Sequence, residues 1–454
     1  ATLAGVLAAA PPPAGAAVKE YFNCLVQRAA LLQILGRLTE AAEVLAVATD
    51  AAAADGEPLA HTLATLKLLR VQLALGAGDL EAAEAELAAL ALPGSSAAQW
   101  VTLAAVALIF QLELHGRQHK VDDMRRDLRD LHAVMKTYKP TEQSDGEVVA
   151  HFMWMQRKPL YTVVYLVSTI ANGTFGQLEI ARTYGDRALD LLRRQLAAVD
   201  KAGGTVCSQY CELGCSDLYL PLLEQCVSVQ LTCMDYQAAQ QSLLHGVDLL
   251  RANGERYSDR RAAWHNLLAL YFVATGERSG ADHHIAAASA LATREDDRLV
   301  VALATALRVM HTDESTDVLA GLETAWGEGG SADAAVVTQF LGGLQLVCSG
   351  DLDGARDMFA GLRDAKAMSK RLGCYVLVIT SLCCDEASGD GAKLLGKAEK
   401  TAGNMHDAMF GRCLVRLGDS AKEWSSGEAH DAPLAAAAGS KAHQALLETV
   451  RISL

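Results

Sequence analysis

Gly78-Asp79-Leu80-Glu81-Ala82-Ala83 reads as the end of one helix, a corner and the opening of the next, and the chain holds six copies of this stretch. The close copies are Gly36-Arg37-Leu38-Thr39-Glu40-Ala41, Gly176-Gln177-Leu178-Glu179-Ile180-Ala181 and Gly350-Asp351-Leu352-Asp353-Gly354-Ala355. Two looser ones are Met234-Asp235-Tyr236-Gln237-Ala238-Ala239 and Gly276-Glu277-Arg278-Ser279-Gly280-Ala281. Glycine can end a helix in a left-handed conformation, the apolar residue two places on plugs the corner, and the alanine lets two helices pack closely. Small or apolar residues recur four and seven places after the alanine, as in Leu45 and Ala48, Leu87 and Leu90, or Phe359 and Leu362, which places them on one helical stripe. Nothing strand-like lies between the copies. The expected fold class is all-α, a TPR-like helical-repeat superhelix (α-solenoid).

The spacing of the alanines predicts hairpins that lack the signature. Ala41 and Ala83, like Ala239 and Ala281, are 42 residues apart, but Ala83 and Ala181 are 98 apart and Ala281 and Ala355 are 74 apart. In the first gap, Gln99 to His115 and Val121 to Thr137 carry helical apolar periodicity. The second gap offers a pair over about Asp297 to Met310 and Thr316 to Trp326. Breakers then suggest the segmentation: residues 1–18 a flexible alanine- and proline-rich segment, 19–139 N-terminal helical repeats, 140–150 a connecting loop, 151–424 C-terminal TPR-like repeats, and 425–454 an alanine-rich tail. Since each hairpin buries its apolar face only against its neighbours, one continuous superhelix is expected.

Composition narrows the function. The 454 residues include nine prolines and only 5% aromatics, with a formal charge of -14, so the chain is not expected to grip a nucleic-acid backbone itself. Arg125, Arg126 and Arg129 are interleaved with Asp122, Asp123, Asp127 and Asp130 and read as a solvated helix face. No stretch approaches the roughly 20 apolar residues of a membrane helix, and Leu160 to Ala171 is interrupted by Thr162, Ser168 and Thr169; a soluble protein with no membrane partner is expected. Ala1 to Ala17 lacks the basic start of a signal peptide and reads as linker. The eleven cysteines are scattered through apolar helical stretches, as reduced thiols of an intracellular protein would be. Cys207, Cys211 and Cys215 could share a helix face, but their spacing matches no common zinc pattern, and Cys383-Cys384 reads as core.

No nucleotide-binding glycine motif, metalloprotease, nucleophile-elbow or kinase motif occurs, so no catalytic, metal or cofactor site is expected. His283-His284 point about 100° apart on a helix and read as surface or groove residues. His151 and His265, beside Trp154 and Trp264, read as hydrogen-bonded core or groove histidines. The densest aromatic and basic stretch is Phe152 to Val167, in which Pro159 suits a first helical turn. Trp154, Tyr161 and Tyr165 there either fill an inter-repeat core or face a groove that holds a partner peptide; with His265 and Tyr271 they form the candidate partner-binding set.

In this stretch the chain resembles the TPR subunit of the cohesin-loading complex, the sister chromatid cohesion factor that pairs with the Nipped-B-like (adherin) HEAT-repeat subunit. The residues that carry the resemblance are Phe152-Met153-Trp154, Lys158, Val164-Tyr165-Leu166-Val167, Gly176, Leu178, Glu179, Ala181, Tyr184 and Asp186 to Leu189. His265, Leu267-Leu268, Leu270-Tyr271, Val273 and Ala281 are similar to that family's next repeat, and Gly343-Leu344, Gly350, Asp351, Ala355 and Phe359 to the one beyond. Weaker matches upstream include Tyr21, Cys24, Leu25, His61 and Leu63, so the likeness spans about Tyr21 to Trp424. Members of that family carry further hairpins ahead of the position that Tyr21 occupies.

The resemblance implies a non-enzymatic scaffold that wraps the N-terminal segment of the adherin subunit and supports cohesin loading in the nucleus, meeting cohesin indirectly and chromatin through its partners. The acidic balance leaves DNA contact to those partners and suits a segment with basic and aromatic residues. A generic TPR adaptor, such as a cochaperone or a transport or ubiquitin-ligase subunit, is the alternative, but the Lys, Asn and Arg set of a carboxylate clamp cannot be assembled at matching positions. An all-helical terpene cyclase would need an aspartate-rich metal motif, which Asp282 and Asp296-Asp297 do not supply.

Overall fold

The computed structural model describes residues 17–54, 60–90, 98–118, 120–137, 157–202, 206–292, 298, 300–301, 304–305, 332–363, 370–384, 389–405 and 446. Among them all regular structure is helical. The α-helices are α1 (Ala17–Ile34), α2 (Leu38–Ala54), α3 (Ala60–Ala77), α4 (Leu80–Ala88), α5 (Ala98–Arg117), α6 (Val121–Thr137), α7 (Arg157–Thr174) and α8 (Leu178–Ala202). They continue with α9 (Val206–Thr232), α10 (Tyr236–Ala252), α11 (Arg261–Thr275), α12 (Arg278–Leu291), α13 (Ala332–Ser349), α14 (Leu352–Arg363), α15 (Lys370–Leu382) and α16 (Asp390–Met405). Consecutive helices pack in pairs, as the repeated stretch requires: α1 on α2, α3 on α4, α5 on α6, α11 on α12, α13 on α14 and α15 on α16.

All six quoted stretches form the same turn. Gly36, Gly78, Gly176, Gly276 and Gly350 have φ between 72° and 85°, and Met234, which stands where the others have glycine, adopts the same left-handed conformation at φ 58°. At each corner the left-handed residue's N–H reaches back three carbonyls and the next residue's N–H reaches back five, as in Gly78 N to Leu75 O (3.1 Å) and Asp79 N to Ala74 O (2.9 Å). This pair of bonds satisfies carbonyls orphaned at the helix end. In three copies an aspartate then caps the following helix. The Asp79, Asp235 and Asp351 carboxylates accept from the backbone N–H of Ala82, Ala238 and Gly354 at 3.0, 3.2 and 3.0 Å.

The six alanines Ala41, Ala83, Ala181, Ala239, Ala281 and Ala355 are all 0% exposed. Each donates its N–H to the carbonyl of the residue just after the left-handed one, for example Ala355 N to Asp351 O at 3.1 Å. Each therefore begins the new helix already inside the hairpin.

The pair predicted in the first long gap is present as α5 and α6. It escaped the alanine pattern because Met124 holds the alanine's place: its N–H donates to Lys120 O at 3.0 Å, and Lys120 N reaches back to His115 O at 2.8 Å. The larger side chain is buried, with Cε 3.5 Å from the place of a Cβ on Gly116. The α15–α16 pair falls within the 151–424 stretch expected to hold repeats but carries none of the six quoted copies. Of the pair predicted in the second gap, all but residues 298, 300, 301, 304 and 305 lies outside the described residues. The proposed linker up to residue 16, the loop 140–150 and the tail from 425, apart from residue 446, also lie outside them.

Packing divides the chain into two compact units, Ala1–Val167 with Leu192–Cys215, and Ser168–Leu191 with Ser216–Leu454. In the first, α3 is apolar on two sides. Leu66 and Leu73 join Phe22, Leu25, Ala41 and Leu45 in one core, while Leu68, Val71 and Leu75 join Ala83, Leu103, Val106 and Phe110 in the next. Its helix therefore shows little amphipathic asymmetry, whereas α6 buries only the stripe Met124, Leu128, Leu131 and Met135 together with Asp127. The Asp127 carboxylate is held by His115 Nδ1 at 2.6 Å.

In the second unit, glycines admit large rings. A Cβ on Gly246 would stand 1.9 Å from Trp264 Cη2, and one on Gly343 would stand 2.5 Å from Phe359 Cζ. Both aromatic residues are fully buried.

Candidate functional site

Two of the five candidate partner-binding residues, Tyr161 and Tyr165, lie half-buried on α7. Pro159 falls in the first turn of that helix, as expected. Trp154, with the rest of 151–156, lies outside the described residues. Deeper on α7, Thr162, Ser168, Thr169 and Asn172 are buried, and the Asn172 amide donates to Ser168 O at 2.7 Å. Polar groups within a buried helix face are tolerated because the helix's own carbonyls accept from them.

The other two, His265 and Tyr271, lie on α11 inside the α10–α12 core. Tyr271 is completely buried, and its hydroxyl accepts from Gln240 Nε2 on α10 at 2.6 Å. Burial pushes its phenol up to about 12, so it stays neutral. His265 is 3% exposed and meets His284 on α12, with Nδ1 to Nδ1 at 2.9 Å. One imidazole donates its Nδ1–H while the other offers its Nδ1 lone pair, so the contact requires that the accepting ring be neutral. Burial, with help from the neighbouring histidines, lowers His265 to about 4 and His284 to about 3. Phe272 stacks on the His284 ring at 5.5 Å and 7°.

The sequence reading gives both His283 and His284 a surface or groove position. The 100° between adjacent residues instead separates them: His283 is half-buried, and His284 is 0% exposed. His284, Gln240 and Asn266 are thus among the polar members of this core that sequence reading missed, and they depend on packing registers between helices that no local motif announces.

No family model matches the sequence, and no curated protein matches it.

What the described residues offer chemically is a set of packed helices joined by polar pairs such as Gln240–Tyr271 and His265–His284. Among them no three His, Cys, Asp or Glu side chains converge as metal ligands would, and no helix is long and apolar enough to cross a membrane. Cys207, Cys211 and Cys215 fall on α9. Cys226, farther along the same helix, is buried, and its Sγ lies 2.9 Å from the place of a Cβ on Gly185 of α8. Cys374 and Cys383 are buried too, and Cys24 is exposed. Successive hairpins are also joined by charge, with Arg182 of α8 reaching the capping carboxylate of Asp235 at 2.7 Å. Capping and clamping by one aspartate tie the start of α10 to the preceding hairpin.

Proposed function

We propose that this chain is a non-enzymatic TPR-type scaffold that holds an extended segment of a large HEAT-repeat partner, acting as the small subunit of a cohesin loader in the nucleus. The observation that carries the scaffold reading is the recurrence of one turn, with one bonding pattern, at six places whose alanines are all fully buried. Such hairpins stack by nearest-neighbour contact and present long surfaces on which a disordered segment can fold as it binds. The choice of partner rests on the resemblance carried by Phe152-Met153-Trp154, Lys158, Val164 to Val167 and Gly176 to Leu189. An acidic chain suits a basic segment, and contact with DNA then falls to the partners.

The test is affinity purification of the native protein, followed by identification of its stoichiometric partner. A very large HEAT-repeat protein accompanied by cohesin subunits is the expected result. Heat-shock chaperones or ubiquitin-ligase subunits in its place would overturn the partner and leave a generic adaptor. Trp154→Ala with Tyr165→Ala should weaken capture of that partner while thermal stability is retained; a loss of stability with no specific binding defect would assign the pair to the core.

A further inference from the structure

We draw no further inference here: the strongest candidate, the apolar patch made at the C-terminal end of α1 by Leu31 and Leu35, 61% and 68% exposed and one helical turn apart, carries nothing because no observation in the structure shows what covers it.

Discussion

The indole of Trp264 occupies the space that a side chain at Gly246 would need, its Cη2 only 1.9 Å from the place of a Cβ. A ring on α11 and a bare backbone on α10 are therefore a single packing unit. Gly246→Ala is expected to destabilise the fold by about 3 kcal/mol, the upper end of what overpacking costs. Gly173→Ala is the contrast: nothing lies within 4 Å of its Cβ and it sits within α7, so a gain of about 0.5–1 kcal/mol is expected from lost backbone freedom. Urea unfolding of the two variants checks both signs, and an unchanged midpoint for Gly246→Ala would refute the packing account.

The buried alanines make a similar contrast between neighbours. Ala41 is fully buried in the α1–α2 hairpin, while Ala42 beside it is exposed. Ala41→Leu should cost about 1–3 kcal/mol by forcing α1 and α2 apart, and Ala42→Leu should stay within about 0.5 kcal/mol of the parent. Thermal melts of the pair decide it; equal melting temperatures would mean that the repeated alanine has no packing role.

At the corners the cost is in the backbone. The Cβ of Gly276→Ala would meet nothing within 4 Å, yet φ is 79° there. The substitution should lose about 1–2 kcal/mol through conformation alone. Met234 already bears that strain, but its side chain is buried, so Met234→Gly trades relief of about 1–2 kcal/mol against about 1.5–3 kcal/mol of lost burial and ends slightly less stable. Denaturation midpoints of both variants test this, and a clear stabilisation by Met234→Gly would contradict the role given to its side chain.

The His265–His284 pair predicts a pH dependence. Its folded values, about 4 and about 3, lie below the ordinary histidine value of 6.5. The unfolded chain therefore takes up protons that the folded pair refuses, and stability falls as pH drops from about 6.5 toward the folded values. Above pH 7 both states hold neutral rings and the pair imposes no slope. The unfolding midpoint measured from pH 7.5 to pH 5 should decline in the parent and decline less in a His265→Gln/His284→Gln double variant. Parallel curves would show that the slope has another origin.

The corners were legible in the sequence because a left-handed residue, a plug and a small residue at fixed offsets are chosen by local geometry. The copy at Met234 shows the limit of reading by residue type, since the backbone there repeats the glycine conformation without glycine. Met124 shows the same for the alanine. Its hairpin is legible only through the length of the gap and the apolar period, because a buried methionine beside Gly116 stands where the other copies have alanine. The histidine core was not legible. His265 and His284 are 19 positions apart, on opposite sides of a corner, and only the packing register of α11 on α12 decides that His284 turns inward while His283 does not. Of the aromatic set, Tyr271 proved an internal hydrogen-bond partner, a role that its apolar surroundings allowed but did not specify.

The corner at Gly78 and Asp79 also fixes the rotational phase of α4. One residue closes α3, the next caps α4, and Ala83 is already packed four places on, so no position there is spare. Inserting one residue between Asp79 and Ala83 would rotate the rest of α4 by about 100° and carry Ala83 off the face that meets α3. The outer surface of such a chain can change its chemistry residue by residue. Its corners cannot change their length.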